Sequence, residues 1–143
     1  MITNSISIYF ILLCLSIRPV MSQSNYIINE FRSPLQIPLV LAGTFGELRS
    51  NHFHSGIDIK TKGKEGLPII AIEDGYVSRI NIRPDGYGKA LYITHDNGYV
   101  SVYAHLRNFI DSVDDYVLKK QYENKKFTMN LFPEQDHFFF QQG

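Results

Sequence analysis

The side chains in this sequence best suited to chemistry are histidines and one aspartate. Two of the five histidines, His52 and His54, stand two residues apart in RSNHFHSGIDIKTKG, residues 49 to 63, and Asp58 follows His54 by four. Imidazole and carboxylate are the ligands that zinc takes where cysteine is absent. Ser55-Gly56 lies between His54 and Asp58, and a glycine lets the backbone turn sharply or approach closely. The same pair also suits a plain hydrogen bond. On a strand, His52 and His54 would share a face and make a second two-ligand unit; otherwise His52 is exposed or bonded to nearby backbone. His105, in VSVYAHLRNF, falls at the end of a hairpin, where loops often carry reactive groups, although a structural role also suits it. His95 precedes a tight turn and is expected to hydrogen-bond the loop. His137, in DHFFF, has no supporting pattern.

These residues need a scaffold, and the composition indicates one rich in β-structure. The chain has 143 residues, a formal net charge of zero and 13% aromatic residues without tryptophan. Such a length fits one domain with its own core. A neutral chain has no bulk field to draw nucleic acid or an anionic membrane, so no nucleic-acid partner is expected. Ile6 to Ile17 is almost wholly apolar and breaks at Arg18-Pro19. It is too short for a membrane-spanning helix and suits the core of a secretory signal over residues 1–22. The mature chain would then have no transmembrane helix and would be exported to the periplasm, cell envelope or exterior. Cys14, the one cysteine, lies in that run, so neither a disulfide nor a cysteine-bound metal is expected in the mature chain. Residues 23–38 read as an extended lead-in with a possible edge strand in YIINEF.

Between about residues 39 and 106, short apolar stretches are separated by glycine turns. LPIIAIEDGYVSRINI reads as strand, turn at Asp74-Gly75, strand, and ALYITHDNGYVSVYAHL as a hairpin closed by Asp96-Asn97-Gly98. Residues 111–125 carry Val113, Tyr116, Val117 and Tyr122 near helical spacing. Asp111 or Ser112 is positioned to cap that helix, with basic residues toward its end. FTMNLFP alternates as a strand, and the Phe138 to Phe140 run follows it.

Taken together, GTFGELRSNHFHSGIDIKTKGKEGLPIIAIEDGYVSRI and GYGKALYITHDNGYVSVYAHL closely resemble the lysostaphin/LytM-type zinc metallopeptidases, peptidase family M23. The resemblance spans roughly residues 43 to 106. It implies a mainly β, antiparallel LytM-type domain of duplicated-hybrid-motif, barrel-sandwich-like form over 39–143, with a helical insertion at about 109–126. It implies a Zn²⁺ cofactor with His54 and Asp58 as metal ligands, and His105 as an active-site histidine that serves the water or the oxyanion. The implied substrates are peptidoglycan stem peptides or cross-bridges. The family also has a downstream H-x-H that supplies the third zinc ligand and a second catalytic histidine. After His105 this sequence holds only His137, so both are absent, and the domain reads as C-terminally incomplete and weakly active or inactive. Two other readings compete. One is a non-catalytic LytM-like domain that binds peptidoglycan or regulates an amidase, disfavoured by the retained His54, Asp58 and His105. The other is a lipoyl-type carrier, disfavoured because Asp74-Gly75 occupies the hairpin tip where a modified lysine would be needed.

Overall fold

The computed structural model describes residues 31–143. The expected export signal over 1–22, Cys14 within it and most of YIINEF lie outside the described residues. Among the described residues seven strands and one helix follow in order: β1 (Leu41–Gly43), β2 (Asp58–Ile59), β3 (Gly75–Ile82), β4 (Lys89–His95), β5 (Val100–Tyr103), α1 (Asp111–Asn124), β6 (Met129–Leu131) and β7 (Phe139–Phe140). β1 and β2 form a small antiparallel sheet. The larger sheet runs β5-β4-β3-β6, with β7 also on β3. The architecture is mainly β and antiparallel with one helix, as expected, and neither sheet closes into a barrel among the described residues.

β3 is the central strand. It pairs with β4 from Gly75 opposite His95 to Ile82 opposite Lys89. Its other edge takes β6 at Ile80–Leu131 and β7 at Gly75–Phe140. Strict alternation from Val77 would bury Arg79, yet the buried residues are Val77, Ile80 and Ile82. The register shifts between Val77 and Arg79; the extra residue of a bulge resets which side chains face inward. Arg79 is thereby turned outward, its guanidinium 4.8 Å from the Tyr92 ring and its Nε donating to Asn130 Oδ1 at 2.7 Å. Gly75 has to be glycine for lack of room, since a Cβ there would lie 2.5 Å from the Thr94 carbonyl oxygen and 2.9 Å from His95 Nδ1. The expected β4–β5 hairpin forms, with His95 N–H donating to Tyr99 O at 2.9 Å and Gly98 at a φ of 84°.

Helix α1 covers one face of this sheet. Val113 and Val117, four apart and so on one face, are buried with Val77, Ile80, Ile82 and Met129, and Tyr116 packs at the margin. Tyr122 is on the opposite side and exposed. The end signals differ from expectation. Ile110 is the N-cap and makes no side-chain cap bond, and the last turn has no basic residue. Asp114 reaches back instead, accepting from Phe109 N–H at 3.1 Å, which satisfies a backbone donor at the helix entry and places a carboxylate near the positive end of the dipole. Lys125 closes the other end in the left-handed region. Among the described residues no helix is long and apolar enough to cross a membrane.

Of two stretches with strand-like patterns, one forms only a short strand and the other forms none. In HFHSGIDIK only Asp58–Ile59 is strand. Leu67 to Ile72 joins no ladder: Ile70 N–H goes to Pro34 O, Ile72 N–H to the Tyr103 hydroxyl, and Pro68 has no N–H to give. The expected hairpin around Asp74-Gly75 is therefore a corner leading into β3.

Truncating Val113 to alanine removes two buried methyl groups from the centre of this core and should cost about 2 kcal/mol. Leu118→Ala, at a half-exposed position of the same helix, should stay within about 0.5 kcal/mol. Urea unfolding followed by circular dichroism compares the two; equal losses would place the helix's packing face elsewhere.

Candidate metal centre

His54 and Asp58 arrive at one place by different local structures. His54 ends a tight hairpin in which Gly46 N–H donates to His54 O at 2.7 Å and His54 N–H to Glu47 O at 2.8 Å. Leu48 bridges Phe53 within it. Asp58 is held by the small sheet, where it pairs with Gly43, and Lys60 N–H donates to Val40 O beyond it. The hairpin is too irregular for the expected shared face of His52 and His54. His52 is exposed, with Nδ1 2.6 Å from Asn51 Oδ1.

The His54 ring is fixed by its other nitrogen. Nδ1 lies 3.0 Å from Thr44 O. A carbonyl oxygen only accepts, so Nδ1 carries the hydrogen and Nε2 is directed to Asp58. Nε2 is 3.3 Å from Asp58 Oδ1, with room between them for a proton or a cation. In tetrahedral zinc coordination with bonds of roughly 2.0–2.2 Å, neighbouring ligand atoms are ~3.3 Å apart, so this pair fits two corners of such a site. An imidazole donating its second N–H to a carbonyl is also the usual setting of a metal-binding histidine. Asp58 Oδ2 is engaged separately, 2.8 Å from Arg49 Nη2, and the same nitrogen lies 3.3 Å from Glu47 Oε2. Gly43 leaves space for this, since a Cβ there would be 2.5 Å from Arg49 Nη2 and 2.6 Å from Asp58 Oδ2. Among the described residues no group of three potential ligands is assembled: Glu47, which shares Arg49 with Asp58, is turned to that arginine and to Thr44 N–H, both at 3.3 Å.

His105 follows β5 in the left-handed backbone region, φ 55°, a conformation that costs a non-glycine residue about 1–2 kcal/mol. Flanking hydrogen bonds hold it there: His105 N–H to Tyr87 O and Leu106 N–H to Lys89 O, both 3.0 Å. Tyr87 does more than accept. Its ring stands edge-on to the His105 ring with centroids 6.5 Å apart, and its hydroxyl is 2.6 Å from Ser55 Oγ. Ser55 adjoins His54, so one tyrosine ties the His105 turn to the His54–Asp58 loop. His105 also lines a cleft of about 780 Å³ with Lys64, Leu67, Ile70, Leu91 and Arg107. Tyr87, Ser55, Thr44 and Arg49 were not identifiable from the sequence as parts of this region. GYGK reads only as a turn, and the signal that could have marked Tyr87 is an aromatic between two glycines.

The remaining histidines are committed elsewhere. His95 is buried, its Nδ1 2.8 Å from Asp74 O and its Nε2 2.9 Å from Ser101 Oγ, so its ring joins the corner before β3 to β5 and not the turn that follows it. His137 lies against Tyr116 and Phe138 at 4.9 and 4.5 Å between centroids.

Residues 52–122 match the model of peptidase family M23, a span holding His54, Asp58, Tyr87 and His105. No curated protein and no solved structure matches the chain.

The Ser55–Tyr87 link predicts coupled losses. Tyr87→Phe and Ser55→Ala should each cost about 0.5–1.5 kcal/mol, and the double variant should cost little more than either alone, as expected for one shared bond. Additive losses in a denaturation cycle would show that the two loops are held independently.

Proposed function

We propose, from the premise that residues 52–122 belong to peptidase family M23, that this chain carries part of the active site of an exported, zinc-dependent metalloendopeptidase acting on the peptide cross-links of bacterial peptidoglycan. The observation that carries this reading is the facing of His54 Nε2 and Asp58 Oδ1 across 3.3 Å, with each side chain's other polar atom already engaged. These two residues would hold zinc. When bound, the metal supplies Lewis-acid polarisation of a peptide carbonyl and activation of water.

His105 has the other role. Its ring is oriented by Tyr87 and by the two hydrogen bonds that fix its backbone. An imidazole can take a proton from an attacking water or give one to a developing oxyanion. The adjoining cleft, apolar at Leu67, Ile70 and Leu91 with Lys64, Glu65 and Arg107 as its charged lining, suits a peptide that carries both apolar and charged groups. Two protein ligands hold zinc far less tightly than three, so this chain as written should bind zinc weakly and cleave slowly or not at all.

The reading is tested with zinc and purified cross-linked peptidoglycan, following released peptides by mass spectrometry. This chain should show weak zinc binding that His54→Ala abolishes and His105→Ala leaves in place. A version extended by an H-x-H segment able to supply a third ligand should cleave, and His105→Ala should remove most of that cleavage. Tight stoichiometric zinc and full cleavage by the chain as it stands would contradict the two-ligand account. Peptidoglycan binding without cleavage by the extended version would support the non-catalytic reading instead.

A further inference from the structure

Arg49 has no role in the chemistry above, yet it is the most constrained cation in the region. Its Nη2 touches two carboxylates, Asp58 at 2.8 Å and Glu47 at 3.3 Å. Its Nε is buried with no hydrogen-bond partner, a cost that a freely solvated arginine would avoid. The position facing Nη2 is a glycine, Gly43, where any Cβ would collide with the pair. The arrangement is specific about which carboxylate oxygen is used: Arg49 takes Oδ2 and leaves Oδ1 to face His54.

We infer that Arg49 is a positioning residue for Asp58, holding Oδ2 so that Oδ1 alone is presented to a metal beside His54 Nε2, with Glu47 offsetting the arginine's charge. The inference rests on the reading of His54 and Asp58 as a metal pair. Glu47, Arg49 and Asp58 together keep one net negative charge, so the carboxylate retains its attraction for a cation. With Oδ2 occupied, Asp58 binds through one oxygen, in the direction the 3.3 Å spacing requires. A pure charge argument predicts the opposite effect of Arg49, since a guanidinium repels a divalent cation. The side chains of Arg49 and Asp58 are 37% and 45% exposed, so that repulsion is screened by solvent. Loss of a partner that orients a metal ligand, by contrast, typically costs 10–100-fold in affinity. Orientation should therefore win.

The test is a zinc titration of the full chain followed by NMR of the His54 imidazole, with backbone amide spectra confirming the fold of each variant. Arg49→Met should shift the midpoint to at least ~10-fold higher zinc, Arg49→Lys should recover part of the loss, and Glu47→Gln should weaken binding several-fold. If Arg49→Met perturbs the fold, Arg49→Lys and Glu47→Gln carry the test alone. An unchanged or tighter midpoint in the folded variants, with the wild-type His54 responding to zinc, overturns the role of Arg49 and leaves the metal pair standing. A folded wild type whose His54 ignores zinc overturns the metal pair and this inference with it.

Discussion

The antiparallel pairing of β3 with β4 is the interaction on which the remainder of the structure depends. On one side it fixes the bulge at Val77–Arg79, which decides that Ile80 and Ile82 face Val113, Val117 and Met129. At its far end it fixes Lys89, whose carbonyl receives Leu106 N–H, and the preceding turn puts Tyr87 where its carbonyl receives His105 N–H. The left-handed conformation of His105 persists because the first residue of β4 and the turn before it supply the two acceptors. From there the order passes through a phenol to Ser55, and so to the loop between His54 and Asp58. The hydrophobic core and the candidate site thus share one scaffold, and the site lies at the end of a short chain of hydrogen bonds.

The candidate centre is built from opposed demands on few atoms. His54 uses Nδ1 on a backbone carbonyl and Asp58 uses Oδ2 on an arginine, so each has one atom left over, and those atoms face each other. Without a proton or cation between them, two lone pairs would face each other at close range. A divalent cation relieves that repulsion directly. The weak point is coordination number, because Glu47 is spent on Arg49 and the Thr44 amide.

The parts of this architecture carried by periodicity and turn chemistry were legible in the sequence. The Asp96-Asn97-Gly98 hairpin, the helix with Val113 and Val117 inward, and the alternating Met129–Leu131 strand all follow from local pattern. The bulge in β3 was not legible, because Val77-Ser78-Arg79-Ile80 carries no residue that requires one. Leu67 to Ile72 misled for a related reason: its apolar run reads as a strand, but no neighbouring strand is available to it and Pro68 withholds a donor. In the site, His54, Asp58 and His105 could be singled out by type and spacing. Tyr87, Ser55, Thr44 and Arg49 could not, since their parts depend on which loops meet in space.

The central claim is that His54 and Asp58 form a two-point metal site while the other described histidines do not. Anomalous diffraction above the zinc absorption edge, from crystals of the chain equilibrated with zinc, tests it most directly. The account predicts an anomalous peak within about 2.2 Å of both His54 Nε2 and Asp58 Oδ1, with none at His95 or His137. A peak at His52 or His137, or none at His54 in a lattice that leaves the pair open to solvent, would contradict it.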